Sequence, residues 1–366
     1  MDVILFINHV KLYIGAKSGN SQGAQLQGTL PMTRPTIEDV ARLAGVSIAT
    51  VSRCLHTPDR VAQATRDRVL TAVRETGYNL NAAAQSLRQR RANTVLVVVP
   101  DIGNTFFSEI LGGIEAEASA AGLTMLIGNT ARQRAREDVF VRYLLNGRAD
   151  GALLLAAPEA AWFDVPRTNA LGVRPIVTIS EVQPDPDTPA VMIDNETAAH
   201  DAVAHLIGRG HRRIAHVTGP AANILTAQRT AGYRRALAEA GLPWEPGMEY
   251  PGDFTLSCGR EGFLRFLAAD PRPTAIFCAN DESAMGFIAA AHRAGVAVPR
   301  DVSVVGFDDI HFAQAFIPAL TTIRQPRAEM GAAALRLLVA IMNDAAPATV
   351  RLAHELILRD STADAR

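Results

Sequence analysis

Apolar and polar positions recur along this chain on two different periods. From Thr36 the period is helical, with Ile37, Val40, Ala41 and Ala44 at i, i+3, i+4 and i+7. Thr36 with Asp39 three residues on makes a capping-box signature. Gly45 breaks that helix, and Ser47 is placed to cap a second one running to about Leu55, with Val51 and Leu55 inward. Thr65 is placed to cap a third, with Val69, Ala72 and Val73 inward and Gly77 as its stop. Three short helices, the first two joined by a tight Gly-containing turn, predict a helix-turn-helix layout.

After residue 93 the pattern changes. Apolar runs at Thr94–Val99, Leu123–Gly128, Ala152–Ala156, Pro175–Ile179, Arg213–Val217, Thr274–Cys278 and Ser303–Gly306 predict strands. Helical segments are expected from about Phe107, before Asn146, and at about 195–208, 228–240, 258–269 and 281–294. Such alternation means βαβ units and parallel sheets. There are too many units for one sheet, and a polar, Pro-rich break falls at Gln183–Pro189. Two doubly wound lobes are expected, with a ligand at the carboxyl ends of strands in the cleft between them. The first lobe is expected at about 93–193 and 325–355, and the second at about 194–324 and 356–366, so that the chain crosses three times.

Composition changes this picture in one place. The 366 residues leave room for two or three domains, and the net charge is −1. Between Thr33 and Asn93, however, ten arginines face five acids. A local basic module on a near-neutral protein suits phosphate binding, although a solvated charged face would look the same. Cys54, Cys258 and Cys278 form neither a CxxC motif nor a Cys/His cluster, so no metal, cofactor or disulfide framework is expected and the chain reads as cytoplasmic. Apolar residues 3–7 are soon interrupted by Asn8, His9 and Lys11, too short for a membrane span. Residues 16–33 are rich in Gly, Ser and Gln, and Met32 directly precedes the first organised segment. Residues 1–33 are therefore expected to be a disordered tail or a misassigned start.

The second helix of the head would expose Ser47, Ile48, Ala49, Thr50, Ser52 and Arg53. Its start could enter a major groove, with hydroxyls and N–H groups at phosphates and Ile48 and Ala49 against thymine methyls. Alternatively Ile48, three residues before Val51, packs inward. GxGxxG, GxxxxGK[ST], GxSxG and HExxH are all missing. His211 and His216 read as structural, and the adjacent Asp308 and Asp309 diverge in direction, which does not suit a general acid/base pair.

The stretch TIEDVARLAGVSIATVSRCLHTPDRVAQATRDRVLTAVRETGYNLNAAAQSLRQRRANTV resembles the lactose/galactose-repressor family. The resemblance continues through VVVPDIGNTFFSEILGGIE, IDNETAA, RGHRRIAHVTGP, PTAIFCANDESAMG and VPRDVSVVGFDDI, and looks most like the cytidine-responsive branch. It implies an all-α helix-turn-helix head at 34–80, a hinge helix at 81–92, and a two-lobed, periplasmic-binding-protein-like α/β sensor at 93–366. The resemblance implies a homodimeric repressor on double-stranded operator DNA, not an enzyme, controlled by a small-molecule effector, nucleoside or purine-like. In the head the resemblance points to Thr36 and to the exposed positions already named. In the hinge it points to Asn81, Ala84 and Leu87, with Leu87 as a wedge between base steps; Leu87 as a buried linker residue is the alternative. The family often has Pro where Leu80 stands, and Asn where His56 stands.

For the sensor, a nucleoside needs stacking faces for its base and charged partners for its ribose. Phe106, Phe107 and Phe254 could supply the first. Arg229 and Asp308 match sugar-contacting positions of the family, and Arg with Asp suits a polyol. Asn280 and Asp281 lie at a strand's carboxyl end, although Asp281 could be only a helix cap. Asn223 falls where the purine repressor has a cation, which argues against a strongly anionic effector. A sugar-responsive repressor and a periplasmic-type solute-binding protein are the competing expectations.

Overall fold

The computed structural model describes residues 35–78, 91–131, 133–156, 162, 165–166, 174–181, 188–346 and 348–366. The chain divides into two compact units, 1–81 and 82–366.

The first unit holds α1 (Ile37–Ala44), α2 (Ile48–His56) and α3 (Gln63–Thr76). Thr36 and Asp39 form the reciprocal capping box, and Gly45 ends α1 at φ 63°, a left-handed conformation that glycine adopts without strain. The Ser47 hydroxyl caps α2 by accepting from the Thr50 N–H. The start of α3 differs from expectation: it begins at Gln63, and Ala62 stands at the cap with no side-chain bond. Thr65 therefore lies inside the first turn, and a 3₁₀ turn, Pro58–Arg60, precedes the helix. Gly77 ends α3 at φ 65°. Val40, Ala41, Ala44, Val51, Cys54, Val69 and Ala72 form the small core.

The second unit contains two six-stranded sheets. In chain order its elements are β1 (Thr94–Val99), α4 (Phe106–Ala120), β2 (Thr124–Asn129), α5 (Arg134–Leu145), β3 (Gly151–Leu154), β4 (Ile176–Ile179), β5 (Ala190–Ile193) and α6 (Asn195–Gly208). There follow β6 (Ile214–Val217), α7 (Ile224–Glu239), β7 (Glu249–Tyr250), α8 (Leu256–Ala268), β8 (Ala275–Cys278), α9 (Asp281–Arg293), β9 (Ser303–Asp308), β10 (Thr321–Arg324), α10 (Arg327–Met342), β11 (Thr349–Leu352) and β12 (Glu355–Ile357).

The first lobe's sheet runs β11-β5-β4-β3-β1-β2, all parallel, and the second lobe's runs β12-β10-β9-β8-β6-β7, with only β12 antiparallel. The chain thus leaves the first sheet after Ile193, returns after Arg324 and leaves again between Leu352 and Glu355. Strands such as Val95–Val99 are apolar on both faces because helices cover both faces of a parallel sheet. Within the first lobe α4 and α10 meet backbone to backbone: a Cβ at Gly113 would overlap the Ala328 carbonyl, and one at Gly331 the Ile110 carbonyl. Only glycine permits that approach.

Helices α7 and α8 begin earlier than their apolar spacing suggests, because Asn223 and Thr255 cap them. Strands β5, β7, β10 and β11 lay outside the expectation; each has two to four residues, too few to show a period.

Candidate functional site: a helix-turn-helix surface and an interlobe cleft

In the head, Ser47, Ile48, Ala49 and Arg53 are exposed along α2, and Thr50 and Ser52 are half-buried. Ile48 is 46% exposed and does not join the core, which leaves it on the outer face with Ala49. The Ser47 and Thr50 hydroxyls lie 2.9 Å apart, so the helix start presents two side-chain hydroxyl groups beside its first N–H groups. That is a donor-rich surface of the kind phosphates bind. Thr36 is exposed, but its hydroxyl donates to Asp39 Oδ2 at 2.8 Å as part of the cap. Asn81, Ala84 and Leu87 lie outside the described residues.

In the sensor, Arg229 of α7 is buried at 2% exposure. Its Nε donates to Asn195 Oδ1 at 3.1 Å and its Nη1 to the Ala279 carbonyl at 2.5 Å. The guanidinium stands 3.7 Å over the Phe307 ring and 5.9 Å from that of Phe254. Its Nη2 lies 3.9 Å from Asp308 Oδ1, an ion pair without a direct hydrogen bond. Asp308 ends β9 in a strained backbone conformation at φ 119° and accepts from Gln325 Nε2 at 2.7 Å. Burial pushes its carboxyl up to about 6, opposed by Arg229, Gln325 and Arg327. Burial also lowers the Arg229 guanidinium, with Asp308 opposing.

The other expected residues separate by role. Phe254 has φ 66°, and its ring and the Thr226 hydroxyl converge on Gly219, where any side chain would collide with both. Asn280 donates from Nδ2 to the Phe254 carbonyl at 2.9 Å and accepts from the Ser283 N–H at 3.1 Å, so it both holds Phe254 and caps α9. Asp281 is not the cap: it is the first residue of α9, fully buried, and both of its oxygens bond within the lobe. Oδ1 accepts from Thr322 Oγ1 at 2.5 Å and Oδ2 from the Ile310 N–H at 2.8 Å. It braces the loop after β9, and burial drives its carboxyl well above the usual range. Asn223 is half-buried and caps α7 through the Leu225 N–H at 2.8 Å. Phe106 and Phe107 meet edge to face at 5.2 Å. Phe107 is buried in a core cluster that contains residues of both lobes, and the half-buried Phe106 packs against that cluster and against a second one within the second lobe.

Sequence reasoning did not single out Asn195, Thr226 or Gln325. Asn195 Nδ2, Thr226 Oγ1 and Gln325 Oε1 are buried without a partner inside the protein. Unsatisfied buried polar atoms are uncommon and costly; of these three, Asn195 bonds Arg229, Gln325 bonds Asp308, and Thr226 converges with Phe254 on Gly219. Asn195 looked like part of a helix start, and Gln325 like an ordinary linker residue. Only the tertiary fold brings them beside Asp308 and Arg229.

His211 bonds Thr274 Oγ1 and Ser303 Oγ at 2.9 and 3.1 Å. His216 stacks on Phe277 at 4.7 Å, and burial holds its imidazole down to about 4. Both serve the core of the second lobe. Among the described residues no cluster of His, Cys, Asp and Glu could hold a metal ion, and no helix is long and apolar enough to cross a membrane.

Comparisons with known proteins agree with both halves of this description. The family "Bacterial regulatory proteins, lacI family" matches residues 36–81, and "Periplasmic binding protein-like domain" matches residues 203–362. The HTH-type transcriptional repressor CytR of Escherichia coli (strain K12) is 41% identical over 332 residues, 90% of this chain and 97% of that protein. Catabolite control protein A of Priestia megaterium is 36% identical over 89% of this chain and 99% of its own. The crystal structure of the lac repressor dimer bound to operator and the anti-inducer ONPF superposes with a TM-score of 0.80 at 27% identity, covering 90% of this chain and all of that one. The chain belongs to the lacI family of bacterial regulatory proteins, and it is a helix-turn-helix DNA-binding transcriptional regulator of the CytR-like branch, not an enzyme.

Proposed function

We propose that this regulator is a cytoplasmic homodimeric repressor whose operator affinity is set by a nucleoside bound between the lobes. The observation that carries the reading is the buried Arg229–Asp308 pair, flanked by Phe254 and bonded by Asn195 and Gln325, each with one unpartnered buried polar atom. A carboxylate that accepts and amide or guanidinium groups that donate suit adjacent ribose hydroxyls. The Phe254 ring, anchored through Asn280, offers a face to a base, with Phe106 as the first lobe's aromatic. Asn223 caps a helix and brings no cation, which favours an uncharged effector over a phosphorylated one. Asp281 supports the site from behind.

At the DNA end, Ser47, Ile48, Ala49, Thr50 and Arg53 meet the major groove, and Leu87 of the 81–92 hinge enters the minor groove. In this reading the head spans 34–80 and the sensor 93–366. Effector binding selects one lobe arrangement and so orders or releases the hinge.

Calorimetry of the full chain with cytidine, adenosine, guanine, ribose and galactose tests the effector class. Cytidine or adenosine binding in the micromolar range supports the proposal. Binding of galactose alone overturns it in favour of a sugar effector, which the same Arg–Asp pair would also read.

A further inference from the structure

Arg327 is the first residue of α10, directly after the chain's second crossing between lobes. It is buried at 3% exposure although it carries a charge. Its Nη2 donates at 2.7 Å to Glu109 Oε1 of α4 and at 2.7 Å to the Asp309 carbonyl. Its Nη1 lies 3.4 Å from the Phe106 carbonyl. Glu109 and Phe106 belong to the first lobe, whereas Asp309 follows β9 of the second. One guanidinium therefore ties the two lobes together.

Each end of the tie is rigid. On the first lobe α10 and α4 are locked by the glycine contacts at Gly113 and Gly331. On the second lobe Asp309 accepts from Arg324 Nε at 2.7 Å and from Arg359 Nη2 at 2.6 Å. An open recess of about 440 Å³ lies beside the tie, with Glu109, Ala328 and Glu329 on one wall and Asp309, His311 and Gln314 on the other.

The tie also touches the ligand-bearing carboxylate. Gln325, whose Nε2 bonds Asp308, accepts the Arg327 N–H at its carbonyl at 2.8 Å. Gln325 Oε1 and Arg327 Nε are buried and unpartnered. Any shift of Asp308 toward a ligand moves Gln325, and through it the first turn of α10. We propose that Arg327 is the latch that couples occupancy of the Asp308 site to the relative arrangement of the two lobes. The coupling half of this inference rests on the effector reading above; the latch itself does not.

The test uses the full chain, with Arg327→Met, which keeps an unbranched apolar stem but is shorter and loses every side-chain donor, and Glu109→Gln, a milder change at a half-exposed side chain. Hydrogen exchange without any ligand reads the latch alone. Arg327→Met should speed exchange roughly tenfold in residues 309–314 and 106–110, with Glu109→Gln in between. Unchanged exchange in both variants overturns the latch. The coupling is then read as the ratio of operator dissociation constants with and without cytidine. A ratio of about fivefold or more in the natural protein should fall below about twofold in Arg327→Met, and an undiminished ratio overturns the coupling. Absence of any cytidine heat in the natural protein would refute the nucleoside reading, while the exchange data would still decide the latch.

Discussion

Asp308 makes the site sensitive to pH in a way that can be worked out. Its carboxyl is pushed from the ordinary value of 3.8 to about 6, chiefly by burial. The folded protein therefore holds this proton more tightly than the unfolded chain does. The resulting stability is fully present below about pH 4 and is lost as the pH rises through 6. With about 1.4 kcal/mol per pKa unit, acidification from pH 7.5 to 5.0 should gain about 1 kcal/mol from this group alone. Asp308→Asn cannot titrate and should lack that gain. Urea unfolding at the two pH values, followed by tryptophan fluorescence, measures the difference, since both tryptophans, Trp162 and Trp244, lie in the sensor. If the natural protein and Asp308→Asn gain equally on acidification, the burial argument for Asp308 is wrong.

Three further outcomes are expected. Arg53→Ala should weaken operator binding and lower the slope of log affinity against log salt by about 1, because one phosphate contact is lost; an unchanged slope would refute that contact. Arg229→Ala should abolish the cytidine response while operator binding persists, since Arg229 bonds only sensor groups; calorimetry and fluorescence anisotropy read the two effects separately. Gly113→Val should lower stability by about 2 kcal/mol or more, because the new side chain meets the Ala328 backbone and not a movable tip; a variant as stable as the natural protein would contradict the close helix contact.

How much of this was legible in the chain depended on the range of the interaction. The capping box at Thr36, the Gly45 turn and the Ser47 cap involve residues at most four apart, and their residue types alone announce them. The cap before α3 failed the same reasoning. Thr65 is the right residue type, but the helix starts two residues earlier, at Gln63, after Ala62 and without a side-chain cap. Strand β1 was visible because five apolar residues run together after Thr94, while β7, with two residues, carries no period at all. At the site, Arg229 and Asp308 were recognisable, yet their surroundings were not. Asp281 resembled a ligand contact until Thr322, 41 residues away, took one of its oxygens. Gln325 and Asn195 gained meaning only when the sheets placed them beside Asp308 and Arg229.

The claim at the centre of this account is that a small molecule in the interlobe cleft changes the hold of the α2 surface on DNA. Duplexes selected from a random library by the full chain supply an operator, and its dissociation constant can be titrated by anisotropy with and without saturating cytidine. The account predicts a two-fold-symmetric selected sequence whose affinity changes at least about fivefold with cytidine. A selected operator whose affinity is indifferent to cytidine, adenosine, guanine, ribose and galactose would contradict it.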